Sequence, residues 1–290
     1  MGHWLVRHEL EYSFESPRLD CTIDALLRPR AMPGQVVHSA DLACAGAAIA
    51  AGTDALGNER DRLTLAGPVR RIKMCAESRL ECLDLPDHTP PDTAEVTAPL
   101  EATRRPSSLW SWAAKFLPDH APGPGAVARL TAGLARDFAY DPAVTAVGTP
   151  IEALLTASRG ACQDVARLAV ASLQARGVPA RYMLGYAPGA SAEVALHAWF
   201  AAWFDGQGWL QFDSVLPSGP RIVLGFAPDQ QGVPVVRGGC SGPPLPACPG
   251  QPHHHHPGLE PVPFASAHCT GSKLLFAEHL YPLKRVRLNG

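Results

Sequence analysis

The stretch from Cys162 to Arg176, CQDVARLAVASLQAR, is apolar almost all round at helical spacing, broken mainly at Asp164, Arg167 and Gln174. A helix without a polar face has to be covered on several sides, so it predicts the central helix of a layered domain. Gly177, with Pro179 just beyond, ends it. Three aromatic-rich runs follow: ARYMLGY (180–186), ALHAWFAAWF (195–204) and GWLQFDSV (208–215). They read as strands, and the last two flank Asp205-Gly206-Gln207-Gly208, which predicts an antiparallel hairpin. Ahead of the central helix, SSLWSWAAKFLP begins a helix near Ser108. A second helix places Val127, Leu130, Leu134 and Phe138 on one face. Thr149-Pro150-Ile151-Glu152 predicts a third, with Thr149 as its cap and Glu152 closing a capping box. Residues 108–242 therefore read as one α+β unit.

The 290 residues leave room for a second domain. Residues 1–85 hold short apolar runs separated by turn signals such as Pro33-Gly34 and Gly57-Asn58. That pattern predicts a small β-sandwich-like domain, with Leu42–Ala51 Ala-rich enough to be read as either strand or helix. Residues 86–107, rich in Pro, Thr and acidic side chains, read as a linker. Between Pro243 and Pro263 there are 8 prolines, together with the run His253–His256, so 243–290 is expected to be a largely irregular tail.

Composition excludes several functions. Hydrophobic residues make up 46% and charged residues 18%, which is incompatible with wholesale disorder. A net charge of −2 lacks the basic footprint of a general nucleic-acid binder. The longest Ala-rich apolar run, Leu42–Gly52, falls far short of the ~20 residues that span a bilayer. His3, Arg7, His8 and Glu9 interrupt the N-terminus where a secretory leader would be apolar, so the expected location is the cytoplasm. There the eight cysteines are expected to stay as free thiols. With no C-x-x-C pair, no structural zinc site is expected, and the histidine run reads as solvated chain that binds metals adventitiously.

Cys162 stands at the start of the central helix, where the helix dipole favours a thiolate, the attacking species in cysteine catalysis. A lone cysteine is more often a small packing residue. His197 lies in the aromatic strand, where a histidine is commonly a satisfied core residue, and Asp213 lies on the partner strand flanked by Phe212 and Val215. Carboxylates are rarely buried unpaired. With the turn centred near Gly206, His197 and Asp213 are diagonal neighbours that share a face if the register is even. The three supply a nucleophile, a base and an orienting acid.

These residues also carry a family resemblance. RGACQDVARLAVASLQARGVPARYMLGY, LHAWFAAWFDGQGWLQFD and VLGFAPDQQGVPVVRG resemble the nucleophile, His and Asp segments, and the segment after them, of the bacterial transglutaminase-like superfamily. HELEYSFESP, LLRPRAMPGQ and the Asp54–Asn58 turn resemble the β domain that precedes this core in one bacterial branch, so the resemblance spans about residues 1–240. It implies a papain-like core with the nucleophile's helix on an antiparallel sheet. Cys162 becomes the nucleophile, His197 the general base and then acid, and Asp213 the orienting acid. The implied chemistry is acyl transfer at an amide or isopeptide bond of a peptide or amide substrate, hydrolysis ahead of amine transfer, without a cofactor.

Other candidates have structural readings beside them. Asp164 complements the helix dipole. Gln163 follows the candidate nucleophile, with a catalytic role the less favoured reading. Trp199 and Trp209 are read as core packing ahead of lining a substrate groove, and Arg181 and Tyr182 as structural. After Asp213 this chain has Ser214-Val215-Leu216 where the family has Pro-Thr-Asn, and its closing strands are not recognisable beyond Gly242. Those departures motivate a rival reading, a binding module that keeps the fold without catalysis. A redox-sensing thiol would need a resolving cysteine close to Cys162, and none is close in sequence.

Overall fold

The structure, a computed structural model, describes residues 2–92, 107–118, 122–141, 149–187, 196–216, 218–241, 262–263 and 268–279. The N-terminal half is organised by one 24-residue strand, β1 (Gly2–Ala25). It is followed by β2 (Gln35–Cys44), β3 (Ala48–Thr53), β4 (Glu59–Leu65) and β5 (Val69–Cys82). The first part of β1 pairs with β5, and β5 with β2. Its second part, from Cys21, pairs with β4, and β4 with β3. The register breaks between Ser13 and Arg18, so one strand serves two leaves. Ile23, Leu63, Ile72 and Met74 fill the space between them as a separate apolar core. The ambiguous run 42–51 is extended: a turn at Gly46, with φ of +78°, passes the chain from β2 to β3.

The second half contains α1 (Ser107–Ala113), α2 (Pro124–Asp137), β6 (Ala139–Tyr140), α3 (Ile151–Ala157), β7 (Arg159–Gly160) and α4 (Cys162–Gln174). A four-stranded antiparallel sheet follows, from β8 (Ala180–Tyr186), β9 (Leu196–Phe204), β10 (Gly208–Phe212) and β11 (Ile222–Ala227), in the order β10-β9-β8-β11. The helix α4 is central as its composition demands. Val165, Leu168, Ala169 and Leu173 pack with Tyr182, Leu184, Phe200 and Ala202 of the sheet and with Leu130 and Leu134 of α2. Gly177, with φ of +74°, closes the helix, and the Val178 N–H reaches back to the Leu173 carbonyl at 3.1 Å. The other face of the sheet, with Met183, Trp199, Trp209 and Phe226, packs against Met32 and Leu56 of the N-terminal half.

The outer edge of β11 is covered by side-chain amides. Gln35 accepts from the Val223 N–H and donates to the Val223 carbonyl, both at 2.8 Å. Asn58 does the same for Phe226, at 3.0 and 2.9 Å. An open strand edge is an invitation to pair with another chain, and here two amides stand in for a fifth strand.

Two expectations change, and two segments gain detail. The capping box at Thr149 is absent: Pro150 is the N-cap of α3 with no side-chain bond, and the Thr149 carbonyl instead accepts from Arg167 at 2.9 Å. Cys21 and Cys240 form a disulfide, because β12 (Val236–Ser241) pairs with β1 and sets them opposite each other. Cys44, Cys75, Cys82 and Cys162 are free thiols. The expected irregular tail contributes β13 (Val262–Pro263), paired with β12, and β14 (His268–His279), paired with β1. The linker begins with a bond, the Trp209 N–H to the Asp87 carbonyl at 2.8 Å; its residues 93–106 and the run His253–His256 lie outside the described residues. Among the described residues no helix is long and apolar enough to cross a membrane.

Candidate active site

Cys162 is the first residue of α4, preceded by Ala161 in an extended conformation. The helix start is locked by Asp164, whose buried carboxylate accepts from the Ala161 N–H at 2.9 Å. Asp164 is therefore a capping residue, in agreement with its dipole reading. Cys162 is half-buried at a helix start, where the first backbone N–H groups lack partners within the helix.

His197 and Asp213 meet across β9 and the end of β10. The hairpin pairs Phe212 with Phe200 and Gly208 with Phe204, an even register that puts 197 and 213 on one face. His197 Nε2 lies 2.7 Å from Asp213 Oδ2, and both side chains are almost fully buried. With Nε2 held by the carboxylate, Nδ1 is the ring nitrogen left for another partner. Burial alone would lower the pKa of His197; the Asp213 carboxylate and the nearby Cys162 outweigh it and push it up to about 9. Trp199 stacks on the imidazole at 6.0 Å between ring centroids and fixes its plane, while its own N–H goes to Gln211 at 2.8 Å.

Asp213 is held from all sides. Oδ1 accepts from the Val215 and Leu216 N–H groups at 2.9 and 3.0 Å. Oδ2 is shared between His197 and Arg221, whose Nε and Nη2 lie at 3.2 and 2.8 Å. Burial would raise the pKa of this carboxyl; His197, the Leu216 N–H and Arg221 overcome that and hold it below the usual range. The departure at Ser214–Leu216 does not displace the acid, because the loop holds it through backbone N–H groups that any non-proline side chain supplies. Arg221 also donates to the Gly219 carbonyl at 3.1 Å and to the Leu216 carbonyl, which closes the loop around the acid.

Arg221 is the functional-site residue that sequence reasoning missed. An arginine at the start of a strand carries no pattern that distinguishes it from a surface charge. The other singled-out residues have structural places. Trp209 donates to the Thr89 carbonyl at 2.9 Å, and the Arg181 guanidinium lies between the rings of Trp209 and Phe226 at 3.7 and 3.8 Å. Gln163 is bonded to Gln230 at 3.1 Å. These two, with Tyr182 and Arg167, line a cavity of about 720 Å³ beside α4. Burial raises the Tyr182 phenol, and the nearby Cys162 charge adds to the effect.

Residues 111–214 match the family model of the transglutaminase-like superfamily, and residues 5–81 match that of the bacterial transglutaminase-like N-terminal region. An uncharacterized protein of Mycobacterium tuberculosis is 36% identical over 124 residues, covering 38% of this chain and 40% of its own length. One of Mycobacterium leprae is 33% identical over 113 residues, 36% of this chain and 40% of its own. The match thus spans about two fifths of the length of these relatives. The fold is similar to that of a protein from Cytophaga hutchinsonii whose crystal structure is described as a candidate cysteine protease. The two superpose with a TM-score of 0.72 at 17% identity, over 99% of this chain and 94% of that one. With residues 5–81 and 111–214 both matched, the chain carries a bacterial transglutaminase-like N-terminal region followed by a transglutaminase-like core.

Proposed function

We propose that the protein is a thiol enzyme that transfers an acyl group from an amide or isopeptide bond, with water as the favoured acceptor. The observation that carries this reading is the buried His197–Asp213 bond of 2.7 Å, with Cys162 near the same imidazole and at a helix start. A histidine in a hydrophobic strand needs only one partner to be satisfied; in this reading the acid holds one ring nitrogen and leaves the other for the thiol.

The chemistry follows from these groups. His197 holds the proton taken from Cys162, and the thiolate attacks the substrate carbonyl carbon. The oxyanion forms beside the Cys162 backbone N–H, a helix-start donor. His197 passes its proton to the departing nitrogen, the C–N bond breaks, and a thioester remains. Water then attacks the thioester while His197 takes its proton, and the acid leaves as the thiol is restored. Asp213 keeps the imidazole oriented and stabilises its charged form, and Arg221 holds Asp213. The cavity lined by Gln163, Tyr182 and Gln230 is the proposed acyl-side groove.

The test is alkylation of Cys162 by iodoacetamide as a function of pH, read by peptide mass mapping, in wild type and His197→Ala. An ordinary thiol titrates near ~8.5, whereas a His-paired thiolate falls to ~3–7. Rapid labelling at pH 6 that is lost in His197→Ala supports the reading. Slow labelling at pH 6 in both proteins would overturn it and leave the binding-module alternative.

A further inference from the structure

We infer that His3, His38 and Glu81, on the outer face of the N-terminal sheet, form a binding site for a divalent ion of the zinc class. The three residues stand on the adjacent strands β1, β2 and β5. His3 and Glu81 are direct register partners, so their side chains leave the sheet on the same face. His38 reaches that face through a β-bulge: Val37 pairs with Leu80 and Ser39 with Arg79, leaving His38 as the extra residue. The bulge resets the alternation of β2, so His38 and Ser39 are both exposed while Val37 and Ala40 on either side are half-buried. Bulges re-aim side chains, and this one aims an imidazole at a carboxylate.

The three groups already converge. His3 Nε2 lies 3.7 Å from Glu81 Oε1 and His38 Nε2 lies 3.9 Å from Oε2, one imidazole on each oxygen. The rings are stacked, 6.3 Å between centroids and 19° between planes, and the three ligand atoms lie within 4.8 Å of one another. In a tetrahedral site with metal–ligand bonds of about 2.0–2.2 Å, neighbouring ligand atoms are about 3.3–3.6 Å apart. The observed gaps to Glu81 exceed that by a few tenths of an ångström. The side chains of His3, His38 and Glu81 are 33%, 52% and 26% exposed, enough freedom to close that gap and to admit water at a fourth position.

Chemistry selects the ion. Two imidazoles and a carboxylate suit Zn²⁺ and its neighbours, whereas Mg²⁺ and Ca²⁺ prefer all-oxygen shells. Ion pairing alone is a weak reason for the arrangement, since two imidazolium rings stacked on one carboxylate leave a net positive charge and exposed pairs contribute little. A divalent ion uses both imidazoles in their neutral form. The next residues inward, Trp4 and Cys82, wall a cavity of about 470 Å³ that reaches Gln211 and Arg221. An ion here would staple three strands at the rim of that cavity.

The experiment is a calorimetric titration of the full chain with ZnCl₂ at pH 7.5. Both the histidine run and the thiol–imidazole pair can take zinc, so the background carries His253–His256→Ser and Cys162→Ser. The expected result is saturable uptake of one equivalent, weakened at least about tenfold by His38→Ala and by Glu81→Gln. Thermal unfolding of the metal-free proteins should be unchanged, since both residues are on the surface. No saturable uptake in the background protein, or uptake that survives both substitutions, would overturn the assignment.

Discussion

Asn58 offers the sharpest test of how the two halves hold together. Its amide is fully buried and makes four bonds: it accepts from Phe226 N–H and Arg30 Nη1, and donates to the Phe226 carbonyl and to Asp54. Asn58→Ala leaves both backbone groups of Phe226 without a partner on the edge of β11. A buried polar group left unsatisfied costs about 1–3 kcal/mol. Arg30 Nη1 keeps its bond to the Leu56 carbonyl at 2.9 Å, so its share is discounted. The expected loss is then about 2–6 kcal/mol for the two groups, a large part of the 5–15 kcal/mol typical of a folded protein. Urea unfolding followed by tryptophan fluorescence and circular dichroism reads it directly as a lower midpoint. Asn58→Asp keeps the acceptor, loses the donor to Phe226 and sets a second carboxylate beside Asp54, so at pH 7 it should be at least as damaging as alanine. If Asn58→Ala stays within about 1 kcal/mol of wild type, an amount expected of a single ordinary hydrogen bond, the amide clasp is not what satisfies that edge.

Arg221→Met removes two charge-assisted bonds from Asp213, each worth about 1.5–3 kcal/mol, and should slow Cys162 alkylation at pH 6 about ten- to a hundredfold with circular dichroism unchanged. Arg221→Lys should recover part of that rate. His8, buried against the Tyr186 hydroxyl, has its pKa lowered by burial to about 4. The unfolded chain therefore binds the extra proton first as pH falls from about 6.5 to 4, and up to about 3 kcal/mol of stability is lost there. His8→Gln should flatten that limb of a pH series of urea midpoints. For His197 the sign is opposite: the folded-state pKa of about 9 gives stability that is complete below about 6.5 and lost as pH rises through 9. An activity assay should show a falling limb near pH 9, absent if another group is the general acid. Gly185 is the register partner of His197, and a Cβ there would run into the Ile222 carbonyl and the Trp199 ring. Gly185→Ala should lower both stability and Cys162 labelling; full retention of both would show that β8 and β11 are not so closely apposed.

The contact of His197 with Asp213 was more legible than the frame that holds it. It could be read because local rules place it: an aromatic strand and a hairpin turn whose length sets the register. Arg221 could not, since its partner is fixed by the path of a loop. The β domain's turns were visible, and Gln35 and Asn58 stood inside motifs quoted for resemblance. Their task, pairing with β11, depends on contacts between residues 188 and 168 positions apart, beyond any periodicity. The disulfide escaped for the same reason: nothing local marks Cys21 and Cys240 as neighbours. The strand β14 begins after the last proline of the tail's run, where the composition no longer denies regular structure.

The long strand β1 has a consequence for how the chain is made. Its second part lies between β4, which follows within the same domain, and β12, which is synthesised only after the helices and the four-stranded sheet. Cys21 must wait for a partner 219 positions later, roughly 10–45 s at a translation rate of about 5–20 residues per second. During that interval the nascent sheet presents an unfilled edge along the second part of β1, and until β14 is made another along the first. The last strands to leave the tunnel are the ones that close the first.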